Sequence, residues 1–132
     1  MPSKTVSTRY IATTITVPAG TTAAVPQITN LSVGSVVIDA VEIRIPPGHM
    51  GVTGIALEFS GTRIVPWTDT TAWIIGNDDL LAFDVDLEVS VPVQVKAYNT
   101  GGFDHTFYLR IRTSDIVLPT APAYASIIPI GA

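Results

Sequence analysis

Cysteine is missing from these 132 residues, which excludes disulfides, thiolate metal sites and cysteine nucleophiles together. Charge is scarce: 14% of the residues are Asp, Glu, Lys or Arg, against about 25% in an average soluble domain. No basic excess exists either. The 7 Lys+Arg face 11 Asp+Glu, a formal net charge of −4, which argues against a nucleic-acid binder, since that needs a cationic face. The longest charge-free run, residues 10–38, is interrupted by Pro18, Gly20, Pro26, Gln27, Asn30 and several threonines. It therefore lacks the continuous apolar stretch of about 20 residues that a membrane span requires. The first nine residues carry no apolar segment of the kind a secretory leader uses. A protein made and kept in the cytosol, or released only within an assembly, is expected.

What is present is apolar. Hydrophobic residues make up 47% of the chain, and the mean hydropathy is positive. With so few charges, part of that excess reads as surface to be covered by other protein. The charges are also segregated. Sixteen of the eighteen lie between Asp39 and Asp115, leaving only Lys4 and Arg9 outside. The segment 116–132 holds three prolines and no charge, so it is neither a helix nor an ordinary polar disordered tail. It reads as an extended arm whose Ile116, Leu118, Tyr124, Ile127, Ile128 and Ile130 pack on a neighbour, or alternatively fold back on their own domain. Val25 and Ile28 in the neutral N-terminal part are further contact candidates.

Between the ends the hydrophobic period is two. Leu81, Phe83, Val85, Leu87, Val89 and Val91 alternate with Ala82, Asp84, Asp86, Glu88 and Ser90, the mark of a half-buried strand. Phe103, His105, Phe107, Leu109 and Ile111 alternate with Thr106, Tyr108, Arg110 and Arg112. The same pattern places Val37, Val41, Ile43 and Ile45 inward, then Ile55, Leu57 and Phe59, then Val91, Val93, Val95 and Ala97. Shorter strands are expected at 10–17, 63–65 and 72–75. Turn residues fall between them: Pro46-Pro47-Gly48, Ser60-Gly61, Gly76-Asn77-Asp78 and Asn99-Thr100-Gly101-Gly102. Seven to eight strands spaced in this way predict an all-β, antiparallel sandwich of jelly-roll or immunoglobulin-like type. The expected organisation is an N-terminal extension (1–8), the sandwich (9–115) and an extended C-terminal arm (116–132).

Catalytic chemistry is hard to find. Only His49 and His105 are present. Asp104 and His105 are strand neighbours that point to opposite faces, so they make no dyad. His105 reads as a hydrogen-bonded core or interface residue and His49 as a loop residue. No zinc spacing occurs, and Gly101-Gly102 precedes a strand rather than a phosphate-binding helix. Asn77, Asp78 and Asp79 with Asp69 have Ca²⁺-compatible chemistry but read as a solvated turn. No catalytic, cofactor or metal site is assigned. The acidic stripe Asp84, Asp86, Glu88 is expected to oppose Arg110 and Arg112 across strands or between subunits. Trp67 and Trp73 flank a Thr/Asp loop and, with Tyr98, are core or interface anchors or the lining of a sugar site.

The strings Ile45-Pro46-Pro47-Gly48-His49-Met50-Gly51-Val52-Thr53-Gly54, Ile64-Val65-Pro66-Trp67, Trp73-Ile74-Ile75-Gly76-Asn77-Asp78-Asp79 and Ala97-Tyr98-Asn99-Thr100-Gly101-Gly102-Phe103-Asp104-His105-Thr106 run in one order. Together with Ile15-Thr16-Val17-Pro18-Ala19-Gly20-Thr21, they resemble a family of small β-sandwich virion proteins of tailed bacteriophages, over about residues 10 to 112. The resemblance implies a structural, non-enzymatic virion component: a capsid decoration or cement protein, with a tail or fibre module binding a host-surface glycan as the alternative. It implies as partners copies of itself, a trimer being favoured, and a major virion protein, with no nucleic acid, membrane or cofactor. It also implies synthesis in the host cytoplasm and residence in the virion.

Overall fold

The computed structural model describes residues 7–66, 72–90 and 92–116. The alternating segments form eight strands: β1 (Thr8–Val17), β2 (Gln27–Leu31), β3 (Val36–Ile45), β4 (Thr53–Phe59), β5 (Thr62–Val65), β6 (Asp79–Val89), β7 (Val93–Asn99) and β8 (His105–Asp115). They pair antiparallel into two four-stranded sheets, ordered β1-β8-β3-β6 and β2-β7-β4-β5. Every connection except the β4–β5 hairpin carries the chain from one sheet to the other. This interleaving of eight strands is a jelly roll, not the immunoglobulin-like alternative.

The inner faces are as the period of two dictates. Val41, Ile43, Ile45, Ile55, Leu57, Val93, Val95, Ala97, Phe107 and Ile111 are completely buried. The edge strand β6 shows the same alternation in weaker form, half-buried against exposed along most of its length.

The structure departs from the sequence reading at four places. Val36 and Ile38 point inward, whereas the expected Val37 is half-buried on the outside. The cause is a bulge: Ile38 pairs with Thr113 but Ala40 pairs with Arg112, so Asp39 is an extra residue that inverts the phase. Against β6 the mismatch falls the other way, with Val85 and Asp86 between the partners of Ile38 and Ala40, and Asp86 at φ 53. The second departure is Phe103, which precedes β8 and is 79% exposed rather than inward. Third, the strand expected at 72–75 is a single bridge. Ile74 exchanges both main-chain hydrogen bonds with Ile55, at 2.9 and 3.1 Å, beside the part of β4 that short β5 does not reach. Fourth, β2 was not expected, because Gln27-Ile28-Thr29-Asn30-Leu31 follows a proline and is half polar.

Ser60 (φ 51) and Gly61 (φ 79) form the two-residue turn of the β4–β5 hairpin. Positive φ at both central residues suits the twist of the flanking strands. At the opposite end of the sandwich, Asn99 is fully buried. Its Nδ2 donates to Val17 O (3.0 Å) and Phe103 O (2.7 Å), and its Oδ1 accepts from Gly101 N (2.9 Å). One side chain thus ties the β7–β8 turn to the end of β1. Asn99→Ala leaves these groups without partners inside the protein, at about 1–3 kcal/mol each before relaxation. A loss of about 3 kcal/mol is expected in urea unfolding, with little change in the far-ultraviolet circular dichroism of the folded state.

Candidate functional site

The outer face of the β2-β7-β4-β5 sheet is filled by its own side chains. Gly54 pairs with Tyr98 across β4 and β7. A Cβ at position 54 would overlap the Tyr98 ring, so glycine lets that ring lie across the strand. There it meets Trp73 edge-on, with centroids 4.9 Å apart and planes at 87°. The Arg63 guanidinium sits 4.9 Å from the Trp73 ring centre and donates through Nε to Ala72 O at 3.1 Å. Arg63 also pairs with Glu58, which receives Lys96 Nζ at 2.9 Å. The Glu58 and Arg63 side chains are only 6% and 4% exposed. Of the three aromatic candidates, Trp73 and Tyr98 are therefore together and half-buried, packed on each other and on a cation. Trp67 lies outside the described residues. A buried carboxylate between two cations cannot be removed cheaply, since the cations then lie uncompensated. Glu58→Ala is expected to cost about 3–5 kcal/mol, measured by chemical denaturation.

The outer face of the β1-β8-β3-β6 sheet is open. Three lateral rows cross it: Thr14–Tyr108–Arg44–Leu80, Ala12–Arg110–Glu42–Ala82 and Tyr10–Arg112–Ala40–Asp84. Arg110 bonds Glu42 at 2.7 Å and lies 5.7 Å from the Tyr10 ring centre. The alanines leave shallow hollows on both sides of Arg110, while Tyr10, Leu80 and Tyr108 stand exposed. Tyrosine and arginine are enriched at protein contact surfaces. The acidic and basic stripes do not sit on adjacent strands, because β3 separates β6 from β8. Asp84 shares a row with Arg112 only through Ala40.

The two flanks of the sandwich differ in charge. Gln27 Nε2 donates to Thr16 O at 3.0 Å, so the edge strands β1 and β2 lie side by side. From Tyr10 to Leu31 this flank carries no charge. The contact candidates Val25 and Ile28 belong to it and are 75% and 51% exposed. The opposite flank, where Phe83, Asp84 and Val85 of β6 meet Ile64 and Val65 of β5 around a shared hollow, bears Asp84, Asp86 and Glu88. Ile116 is half-buried just past β8. Leu118, Tyr124, Ile127, Ile128 and Ile130 lie outside the described residues.

The Asn77–Asp79 turn is a brace. Asn77 Oδ1 accepts from Gly48 N (2.9 Å) and Met50 N (3.0 Å), Asp79 Oδ2 accepts from Asn77 N (2.9 Å), and Asp78 pairs with Arg44 (2.8 Å). Asp69 lies outside the described residues, among which no group of three or more His, Cys, Asp or Glu is placed to hold a metal. The turn it braces carries His49, a loop residue as expected, with its side chain buried. Its Nε2–H donates to Thr106 O (3.1 Å), and its Nδ1 accepts from the Thr53 hydroxyl (2.7 Å). The His49 ring lies 4.6 Å from that of His105 and 4.7 Å from Phe107. No local signal marks this burial, because Thr106 is 57 residues away.

Burial lowers the pKa of His49 below its ordinary 6.5; the bond to Thr106 O opposes this and the charge of His105 adds to it. The folded state then takes up this proton less readily than the unfolded chain does. The resulting stability is present above pH 6.5 and is lost as pH falls below it. The thermal midpoint is expected to drop between pH 7 and pH 5, and His49→Gln to flatten that slope while lowering the midpoint throughout.

No protein-family model matches the chain, and no curated protein sequence does. Several solved structures are similar to it. A chain of the cyanophage Pam1 capsid asymmetric unit is 14% identical at a TM-score of 0.53, covering 88% of this chain and 91% of that one. A chain of tomato aspermy virus is 16% identical at 0.47, covering 84% and 82%. A chain of the disulfide-linked pili of Bacillus endospore appendages is 14% identical at 0.47, covering 87% and 93%. The likeness to the cyanophage capsid chain is one of fold.

Proposed function

We propose that the chain is a structural subunit of a tailed-phage virion, a capsid decoration or cement protein that coats or stabilises the particle through protein–protein contacts. The observation that carries this reading is the charge segregation: one flank is neutral with exposed Val25 and Ile28, the other acidic. A neutral flank is suited to burial against other protein, because few charges must be desolvated there. The jelly-roll likeness to a chain of a phage capsid structure supports it at the level of fold. The partners in this reading are a major virion protein and copies of the chain itself, and the protein resides in the particle after synthesis in the host cytoplasm.

A glycan-binding tail or fibre module is the alternative reading, against which weigh the edge-on packing of Trp73 on Tyr98 and the Arg63 guanidinium over the Trp73 ring. Copy number in purified particles separates the two. Hundreds of copies support decoration, and a handful supports a tail or fibre. Removal of residues 116–132 is expected to leave the β signal in circular dichroism intact and to weaken retention on particles in a co-sedimentation assay. Undiminished retention would overturn the role of that segment as an arm.

A further inference from the structure

A sheet edge offers unpaired N–H and C=O groups to any other strand, and natural proteins blunt such edges with charge, proline, bulges or short strands. Three of the four edges here are blunted. β6 carries Asp84, Asp86 and Glu88 and a bulge. β5 is four residues long and runs into Pro66. β2 is five residues long and follows Pro26. β1 has none of these devices. It runs ten residues, Thr8–Val17, in unbroken register with β8, with no proline and no charge after Arg9.

We propose that the free edge of β1 pairs with β1 of a second copy, antiparallel about a two-fold axis at Thr13, to join two sheets into one. The register follows from the hydrogen bonds. Asp115 N donates to Ser7 O, so in the alternating antiparallel ladder the odd residues of β1 bond β8 and the even ones face outward. Tyr10, Ala12 and Thr14 thus present N–H and C=O to the free edge. Among the described residues Thr16 O alone is engaged there, by Gln27. That engagement disfavours any register that uses Thr16 centrally. Pairing Ala12 with Thr14 of the second copy keeps Thr16 at the end of the ladder, opposite Tyr10, and satisfies both outward groups of Ala12 and Thr14. It also sets Ile11 opposite Ile15 on the core side, which continues the apolar inner layer across the junction. Moving the axis to Ala12 would set Ile11 against Thr13 and bring Arg9 inward along the ladder against Ile15, whereas here Arg9 meets Val17 only at its end. No side-chain charge lies between Tyr10 and Val17 to repel the second copy.

Because the chain has no cysteine, a single introduced one reports the axis directly. Thr13 would face its own copy as a non-hydrogen-bonded pair, with Cα atoms about 4.5 Å apart, inside disulfide range. Under mild oxidation Thr13→Cys is expected to double in mass on a non-reducing gel. Thr16→Cys is not, because its two copies would stand about 20 Å apart. In sedimentation velocity the unmodified protein is expected to be a dimer that dissociates on dilution. Ala12→Lys with Thr14→Lys, checked for folding by circular dichroism, is expected to be monomeric. Ala12→Glu with Thr14→Lys, which faces unlike charges across the axis, is expected to restore the dimer. A monomer at every concentration, the trimer expected from the sequence, or equal cross-linking at positions 13 and 16 would overturn the pairing. A monomer that still binds particles would remove this contact and leave the virion reading standing.

Discussion

The insertion of β8 between β1 and β3 is the contact on which the rest of the molecule depends. The last of the described strands completes the ladder of the first described one, along its whole length from Thr8 to Val17. On its other side it pairs with β3 from Val36 to Arg44. Its inward side chains Phe107, Leu109, Ile111 and Thr113 are all buried. Its outward ones, Tyr108, Arg110 and Arg112, make the middle of the open face. Folding of this architecture therefore waits on pairing between residues about a hundred positions apart, which puts it at the slow, non-local end of the folding range. The same arrangement fixes which strands become edges, and so which main-chain groups remain available to other molecules.

Most of the sandwich was legible because one face of each long strand is buried, and a period of two records that fact residue by residue. β6 and β8 are the plainest examples. Legibility failed wherever a distant partner decides the outcome. At Asp39 one inserted residue inverts the phase of β3, although the mark of it is Asp39 itself, which unbroken alternation from Val37 to Val41 would turn into the core. β2 is held by pairing with β7 rather than by its own composition. His49 looks like a turn residue beside Pro-Pro-Gly, yet Thr53 and Thr106 complete a buried site around it. The aromatic candidates Trp73 and Tyr98 were visible as residues. Their edge-on contact over Gly54, and the ion cluster beside it, were not, because they depend on a segment bridging to β4 at Ile74.

The two outer faces answer different physical demands. On one, Glu58 is held between Arg63 and Lys96 and the aromatic pair closes over Gly54, so polar and aromatic groups are already matched within the chain. Such a network fixes local geometry more than it adds net stability, given the desolvation cost of buried charge. On the other face, Arg110 is matched to Glu42 but remains open to solvent, with alanine hollows beside it. A surface that carries tyrosine and arginine and has room next to them is ready to accept side chains from another molecule. The first face is thus part of the scaffold, and the second is part of the exterior that the scaffold presents.

Charge placement links these faces to the edges. Had the three acids of β6 been shared with the opposite flank, β1 too would carry a repulsive side chain along its edge. Instead β6, on one flank, holds three carboxylates, and β1, on the other, holds none between Tyr10 and Val17. Uniform protection requires only a lysine or a proline in β1, which the solvent-facing positions Ala12, Thr14 and Thr16 would accept without disturbing the core. An edge that long and that neutral is hazardous for a protein that works alone. It is consistent with one whose edge is covered by a companion, and the β-branched residues that fill β1 are those that pair best across strands.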